Sequence, residues 1–138
     1  MGQKSIQSTW DRLRAAIARG DLRGASQARL DLLAFARTWP ASSPRTSLLE
    51  ALASIGSVLQ RNEWLDSAGA SFLLGEHVEI ERVEFGLRFV WVRGTIVDVR
   101  PPHIRARLQR NPRALDYLVR EEDGEERWRA DDGIRKRS

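Results

Sequence analysis

The chain has 138 residues, with 23 Lys and Arg against 19 Asp and Glu, a net charge of +4 and no cysteine. That length predicts one domain, or one small domain with a packed accessory segment, and the missing cysteines exclude disulfide staples and thiolate metal sites. No run approaches the roughly 18 apolar residues that a membrane span needs, so we expect no membrane partner. The net charge is too small for a dedicated nucleic-acid clamp. Since the lack of cysteine gives no sign of an oxidising compartment, we expect a cytoplasmic protein, or a virion component if the chain is a viral structural protein.

The first part of the chain, residues 1–66, is predicted to be a helical module with three helices. Apolar residues repeat at helical spacing over 6–17, 25–39 and 48–59. The first pattern ends at a Gly-Asp pair, the second ends before a proline, and Ser43-Pro44 offers a cap and a first turn for the third. Short connections favour antiparallel neighbours, so we expect a three-helix bundle or a helical hairpin with a docking helix.

Residues 67–74 are predicted to be a linker, because small residues there separate the helical pattern from a pattern with a period of two. Residues 77–81 alternate polar and apolar positions, as a strand with one solvated face does. The next strand, 89–99, is apolar on both faces. One face is expected to carry Val90, Val92 and Ile96, and the other Phe89, Trp91, Val97 and Val99. Both faces need cover, so the second face is expected to contact the helices, an oligomer partner or a ligand.

A hairpin is predicted around Asp123-Gly124. A two-residue turn there would place three like-charged pairs opposite each other, which costs stability. A three-residue loop over 122–124 instead pairs Arg120 with Glu126 and Leu118 with Trp128. We therefore predict the three-residue loop, with the acidic residues of 121–125 crowded at a solvated tip.

Four short motifs occur in a characteristic order in the second half: GEHVEI from residue 75, WVRGTIV from 91, YLV from 117 and ADDGIR from 130. In this order they resemble the Tudor and Agenet group of SH3-like barrels. The resemblance implies an α+β protein in which a small antiparallel SH3-like barrel, residues 75–138, follows the helices. It also implies recognition of a peptide, often through an aromatic cage around a methylated lysine or arginine, while related barrels contact nucleic acid.

The positions that could supply such a cage or aromatic surface are Phe89, Trp91, Tyr117 and Trp128. The sequence departs from many Tudor cages, because aliphatic residues occupy the early strand where those cages carry an aromatic. Phe89 and Trp91 have a second interpretation, which is packing against the helical half, since large aromatic side chains dominate cores and interfaces.

An Arg-rich insertion over 100–115 interrupts the barrel pattern, and no acidic residue lies between Asp98 and Asp116. Guanidinium groups match phosphate oxygens, so the insertion is a candidate contact for nucleic acid or a partner. The alternatives are a solvated loop and an intersubunit contact with the acidic tip of another copy. The candidate contact residues are Arg100, Arg105, Arg107, Arg110 and Arg113.

Catalysis and metal binding have little support in the sequence. The two histidines, His77 and His103, have no cysteine or carboxylate partner at ligand spacing, and no phosphate-binding loop or nucleophile elbow is present. The acidic run 121–126 lacks the alternating oxygen ligands of a calcium loop. We expect no cofactor, no metal and no small-molecule substrate, and therefore not an enzyme.

Three functional hypotheses are consistent with the sequence. The first is an interaction protein of a bacterium or its virus that contacts nucleic acid or a nucleoprotein through the Arg-rich insertion. The second is a structural or assembly subunit, such as a virion ring or connector component, that uses the same surfaces for self-association. The third is a peptide reader with an aromatic cage.

Overall fold

The computed structural model describes residues 3–86, 88–101 and 115–137. Within these ranges three helices precede the strands: α1 (Gln3–Ala18), α2 (Leu22–Thr38) and α3 (Ser43–Ser67). The strands described are β1 (His77–Glu84), β2 (Arg88–Arg100), β3 (Asp116–Glu121), β4 (Glu126–Ala130) and β5 (Ile134–Lys136), with a single 3₁₀ turn (Asp131–Gly133) before β5. The chain divides into two compact units, 1–64 and 65–138. The α+β class expected from the sequence is confirmed.

The helix ends follow from local sequence. At the end of α1, Gly20 has a φ of 72°, and the amide of Asp21 donates to the carbonyl of Ala16 at 2.8 Å, which is the Schellman arrangement. Asp21 then caps α2 by accepting from the Gly24 amide at 2.9 Å. The cap of α3 is Ser42, one residue earlier than predicted, because its hydroxyl accepts from the third amide of the helix.

The helical unit has an apolar core drawn from all three of its helices. Leu13 of α1, Leu32 of α2 and Leu52 of α3 are fully buried, and small residues on α1 and α2 let these two helices approach closely. The spacing of three and four residues puts these side chains on one face of each helix. The three helical stripes read from the sequence are therefore confirmed.

The five described strands form one antiparallel sheet in the order β4-β3-β2-β1-β5. Arg120 lies opposite Glu126 and Leu118 opposite Trp128, which confirms the predicted three-residue hairpin loop. Gly124 of that loop has a φ of 91°, a conformation that glycine adopts without steric cost. The edge strands β4 and β5 do not pair with each other among the described residues, so the sheet is open.

A β-bulge divides β2. The pairing with β3 shifts between Ile96 and Asp98, so one residue, Val97, has no partner on β3. The shift moves Val99 opposite Tyr117, onto the face that also carries Ile96. The prediction that placed Val99 on the other face is wrong, because a strict period of two does not survive an inserted residue.

The buried face of the sheet, called the inner face here, carries the core of the second unit. Its fully or nearly fully buried residues come from four strands: Val78, Ile80, Ile96, Tyr117, Val119 and Ile134. The predicted linker contributes as well, since Phe72, Leu73 and Leu74 are buried and the Phe72 ring meets the Tyr117 ring edge-on at 5.4 Å. Small residues alone thus occupy the connection, at 68–71, and the core begins at Phe72.

Candidate functional site on the outer face of the sheet

The opposite face of the sheet, called the outer face here, combines aromatic and guanidinium side chains. Residues opposite each other in an antiparallel pair point to the same side, so the strand registers define which residues share it. Along β2 the outer face carries Phe89, Trp91, Arg93 and Thr95 in succession, and Asp98 and Arg100 follow beyond the bulge. The neighbouring strands add further outer-face residues, several of them acidic: His77, Glu79, Glu81, Val83, Asp116, Leu118, Arg120, Glu126, Trp128 and Arg135.

Two tryptophans of this face are stacked with arginines. The guanidinium of Arg135 lies 4.0 Å from the ring centroid of Trp91, and that of Arg100 lies 4.0 Å from the ring centroid of Trp128. Trp91 remains 38% exposed, whereas Phe89 is 69% exposed. At this distance the guanidinium cation is attracted to the ring face.

Ion pairs hold most of these arginines in position. Arg135 Nε lies 3.1 Å from Glu79 Oε1, and Arg100 Nε lies 3.9 Å from Asp116 Oδ2. These pairs fix the guanidinium planes above the tryptophans. By contrast, Arg93 makes no hydrogen bond or ion pair with any residue that the structure describes. Its donors are therefore available to a ligand.

Arg93 lines a cavity of about 250 Å³ beside Gly94 of β2, where residues of both sheet faces border it. Arg120 on β3 and Arg137, which follows β5, border the same cavity, together with His77 and Thr95. Arg137 Nη1 lies 3.3 Å from His77 Nδ1, and the guanidinium can act only as the donor in this contact. Gly94, Glu121 and Glu122 complete the lining, and we call the whole cavity the basic pocket after its three arginines.

The proposed aromatic positions do not converge. Tyr117 is only 1% exposed and lies on the inner face, where its hydroxyl accepts a hydrogen bond from the Ser71 amide at 3.0 Å. Burial raises the pKa of Tyr117 above its usual value of 10.0. The expectation that Tyr117 contributes to an aromatic surface is therefore wrong. Trp128 is on the outer face but two strands away from Trp91, and each carries its own arginine, so the described residues contain no cage.

The acidic hairpin tip is less solvated than the sequence indicated. Glu121 is 4% exposed, and its carboxylate lies 3.6 Å from guanidinium nitrogens of both Arg82 and Arg127. Carboxylate oxygens of Glu121, Asp123 and Glu125 lie within 4.8 Å of one another. Arg127 also donates to Glu125 at 2.6 Å, and this hydrogen bond, with the nearby Glu121 charge, raises the pKa of Arg127. Glu121 and Glu125 form an ion-pair network with arginines, and the expectation of a solvated Glu121 is wrong.

Of the five arginines predicted to contact a partner, only Arg100 lies within the described residues. Arg105, Arg107, Arg110 and Arg113 lie outside them. The two ends of the insertion are nevertheless placed, because Arg100 at the end of β2 pairs in register with Asp116 at the start of β3. The insertion thus leaves and rejoins the sheet beside the Trp128 stack. Four arginines of this region were not identified from the sequence: Arg93, Arg120, Arg135 and Arg137. The alternation of β2 could have identified Arg93, and the predicted hairpin register could have identified Arg120.

Comparison with protein-family models, with curated proteins and with solved structures finds no match to this chain. None of the helices in the described ranges is long and apolar enough to cross a lipid bilayer.

Proposed function

We propose that this protein is a non-catalytic interaction protein that binds single-stranded nucleic acid on the outer face of its sheet. One observation carries the proposal: exposed aromatic and guanidinium side chains share one face of a single strand, with Phe89, Trp91 and Arg93 in succession and Arg100 beyond Thr95 and Asp98. At about 3.3 Å per residue this row extends over roughly 35 Å. Such a length accommodates several nucleotides of an extended strand.

The chemistry of the row suits a flexible, unpaired strand. Bases stack on aromatic rings and on guanidinium planes, and arginine side chains pair with phosphate oxygens. The Trp91–Arg135 and Trp128–Arg100 pairs each place a guanidinium group over a ring, so each brings a cation and an aromatic group together for a base. The Arg-rich insertion begins at the end of the same row, at Arg100.

The finer fold assignment belongs to the same proposal. We infer an SH3-like barrel of the Tudor and Agenet type from the strand order, the antiparallel pairing of β1 with both β2 and β5, and the 3₁₀ turn between β4 and β5. In that group peptide binding through a cage is common. The dispersed aromatic positions of this chain favour the nucleic-acid role over the cage.

The test is fluorescence anisotropy of labelled single-stranded DNA and RNA across a salt series. We expect binding that weakens as salt rises, because phosphate contacts release counterions. Trp91→Ala should weaken binding about tenfold, since stacking of one base contributes roughly 1–3 kcal/mol. Trp64→Ala is the matched control, because Trp64 is also exposed, at 66%, but lies on α3 in the helical unit.

The insertion is tested separately with a variant in which Arg105, Arg107 and Arg110 are all alanine. We expect the affinity of this variant to depend less steeply on salt. The slope of the logarithm of the binding constant against the logarithm of salt concentration should become smaller by about one for each arginine–phosphate contact removed. If the parent binds neither DNA nor RNA at low salt, or if Trp91→Ala and Trp64→Ala bind alike, the proposed function is wrong.

A second function, self-association into a larger assembly, has one observation in its favour. Val83 and Phe89 face each other across the β1–β2 hairpin and are more than half exposed, and Phe85 at the turn is 94% exposed. An exposed apolar group of this kind marks a contact with protein. If this function is correct, the molar mass from light scattering should rise with concentration, and Phe85→Ser should abolish the rise. A mass that stays monomeric at every concentration would count against it.

A further inference from the structure

We propose that the basic pocket is a phosphate-binding subsite. Where the phosphate is part of a nucleic acid, this inference rests on the proposed function. The pocket brings together guanidinium groups from separate parts of the chain: Arg93 on β2, Arg120 on β3 and Arg137 after β5. Glu121 and Glu122 also line the cavity, but the Glu121 carboxylate lies beside Arg82 and Arg127, and the three guanidinium groups outnumber the two carboxylates. Arg93 in particular forms no ion pair with a described acidic residue that would offset its charge.

The donors and acceptors of the pocket are unequal in number. Arg120 directs Nε and Nη2 to one oxygen of Glu126, at 3.0 and 2.7 Å, and so keeps Nη1 for another partner. Arg137 uses Nη1 for the contact with His77, which leaves its other guanidinium hydrogens for further partners. Two acidic residues line the cavity: Glu122, which is 3.9 Å from Arg137 and 71% exposed, and the buried Glu121, whose carboxylate lies 3.6 Å from Arg82 and Arg127. A site with many donors and few acceptors selects an anion.

The size and hydrogen-bonding groups of the pocket favour a phosphate group over a whole nucleotide. A cavity of about 250 Å³ lies below the roughly 300–1,000 Å³ typical of sites that enclose a complete small molecule. Guanidinium forks match the tetrahedral oxygens of phosphate, and the hydroxyl of Thr95 can donate to a further oxygen. The position also fits, because Arg93 and Thr95 directly continue the row that begins with Phe89 and Trp91.

The closing experiment uses the intact protein and two probes. Calorimetric titration with inorganic phosphate tests the pocket by itself, and anisotropy compares one oligonucleotide with and without a terminal phosphate. We expect Arg93→Ala to weaken phosphate binding about tenfold or more, because charge-assisted hydrogen bonds are lost. Arg88→Ala is the control, since Arg88 is an exposed arginine of the same strand that does not line the cavity. Far-UV circular dichroism should show both variants folded.

The oligonucleotide arms identify the source of the phosphate. If the parent binds the phosphorylated oligonucleotide more tightly and Arg93→Ala removes this difference, the pocket binds a terminal phosphate. If the parent binds both oligonucleotides equally and Arg93→Ala weakens both, the pocket binds an internal phosphate. If Arg93→Ala and Arg88→Ala bind both probes alike, the subsite is disproved even when oligonucleotides still bind through Trp91. If inorganic phosphate binds in an Arg93-dependent way but no oligonucleotide binds, the subsite stands and the nucleic-acid function fails.

Discussion

A carboxylate on the inner face of a sheet is stable only when partners compensate its charge. Glu121 has two such partners, Arg82 and Arg127, and its oxygens make no hydrogen bond to any described residue. The attraction therefore depends on charge alone over 3.6 Å, and both arginines keep part of their surface in water, which screens it. Glu121 is consequently sensitive to any change that removes its charge.

We predict that Glu121→Gln lowers the free energy of unfolding by about 1–3 kcal/mol, because two arginines lose their shared counter-charge and an amide gains no hydrogen-bond partner. Glu122→Gln is the control, since Glu122 is the adjacent acid and is 71% exposed. Chemical denaturation of the two variants measures the difference. Equal stabilities would show that the Glu121 network contributes nothing to the fold.

The buried hydroxyl of Tyr117 predicts a stability that depends on alkaline pH. Burial raises the pKa of Tyr117 in the folded state above 10.0, so the folded state holds this proton more tightly than the unfolded chain. The stabilisation is complete below pH 10.0 and is lost as pH rises through the folded-state pKa. Tyr117→Phe should be less stable at neutral pH, because the Ser71 amide loses its acceptor, yet should show a smaller decline above pH 10.0.

Denaturation curves at several alkaline pH values test this dependence. Tyr117 is the single tyrosine of the chain, so the rise in tyrosinate absorbance reports it alone. A tyrosinate transition at the same pH in folded and unfolded protein would contradict the prediction.

At the scale of elements, the strand registers determine which side chains reach the outer face. Gly94 allows β2 and β3 to approach closely, because a Cβ there would lie 2.5 Å from Val119 Cγ1 and 3.0 Å from the Arg120 carbonyl oxygen. The neighbours Arg93 and Thr95 border the basic pocket. A shift of β2 relative to β3 at this position would displace both.

We therefore predict that Gly94→Ala destabilises the protein by roughly 1–3 kcal/mol through overpacking, and that it weakens phosphate binding at the same time. Gly133→Ala is a matched control, because a Cβ at Gly133 would have no described atom within 4 Å and the substitution adds the same methyl group. Thermal unfolding and phosphate titration of both variants provide the comparison. If Gly94→Ala is as stable as Gly133→Ala, the close approach of the strands is not a constraint.

Elements differ in how well the sequence predicted them. The helical stripes and the hairpin register were predictable, because each depends on neighbours in sequence: the spacing of apolar residues and the pairing of Arg120 with Glu126. The bulge at Val97 was not, since Val97 and Val99 are both apolar and fit either face. The burial of Glu121 was not predictable either, because Arg82 lies on another strand, far away in sequence. The outer face was predictable in part, because the alternation of β2 puts Phe89, Trp91 and Arg93 on one side. The arginine over the Trp91 ring was not predictable, because Arg135 lies far away in sequence.

At the scale of the whole molecule, the chain contains two separate cores. The apolar cluster of the helical unit consists entirely of residues from 6–59, and the buried residues of the inner face all come from 72–134. Two cores with no residue in common can unfold in separate steps, because the free energy of each depends on its own packing. A substitution in one core is then a test of whether the other depends on it.

We predict that Leu32→Ala, at a position with no solvent exposure on α2, destabilises the helical unit by about 2–5 kcal/mol and leaves hydrogen-exchange protection in β3 unchanged. Leu30→Ala is the matched control on the same helix, because Leu30 is 55% exposed and the same atoms are removed. Exchange measured by mass spectrometry should show faster exchange in the helical peptides of Leu32→Ala only. If the β3 peptide of Leu32→Ala loses as much protection as the helical peptides, the sheet requires the helical core. Binding to the outer face would then have to be measured in protein whose helices are intact.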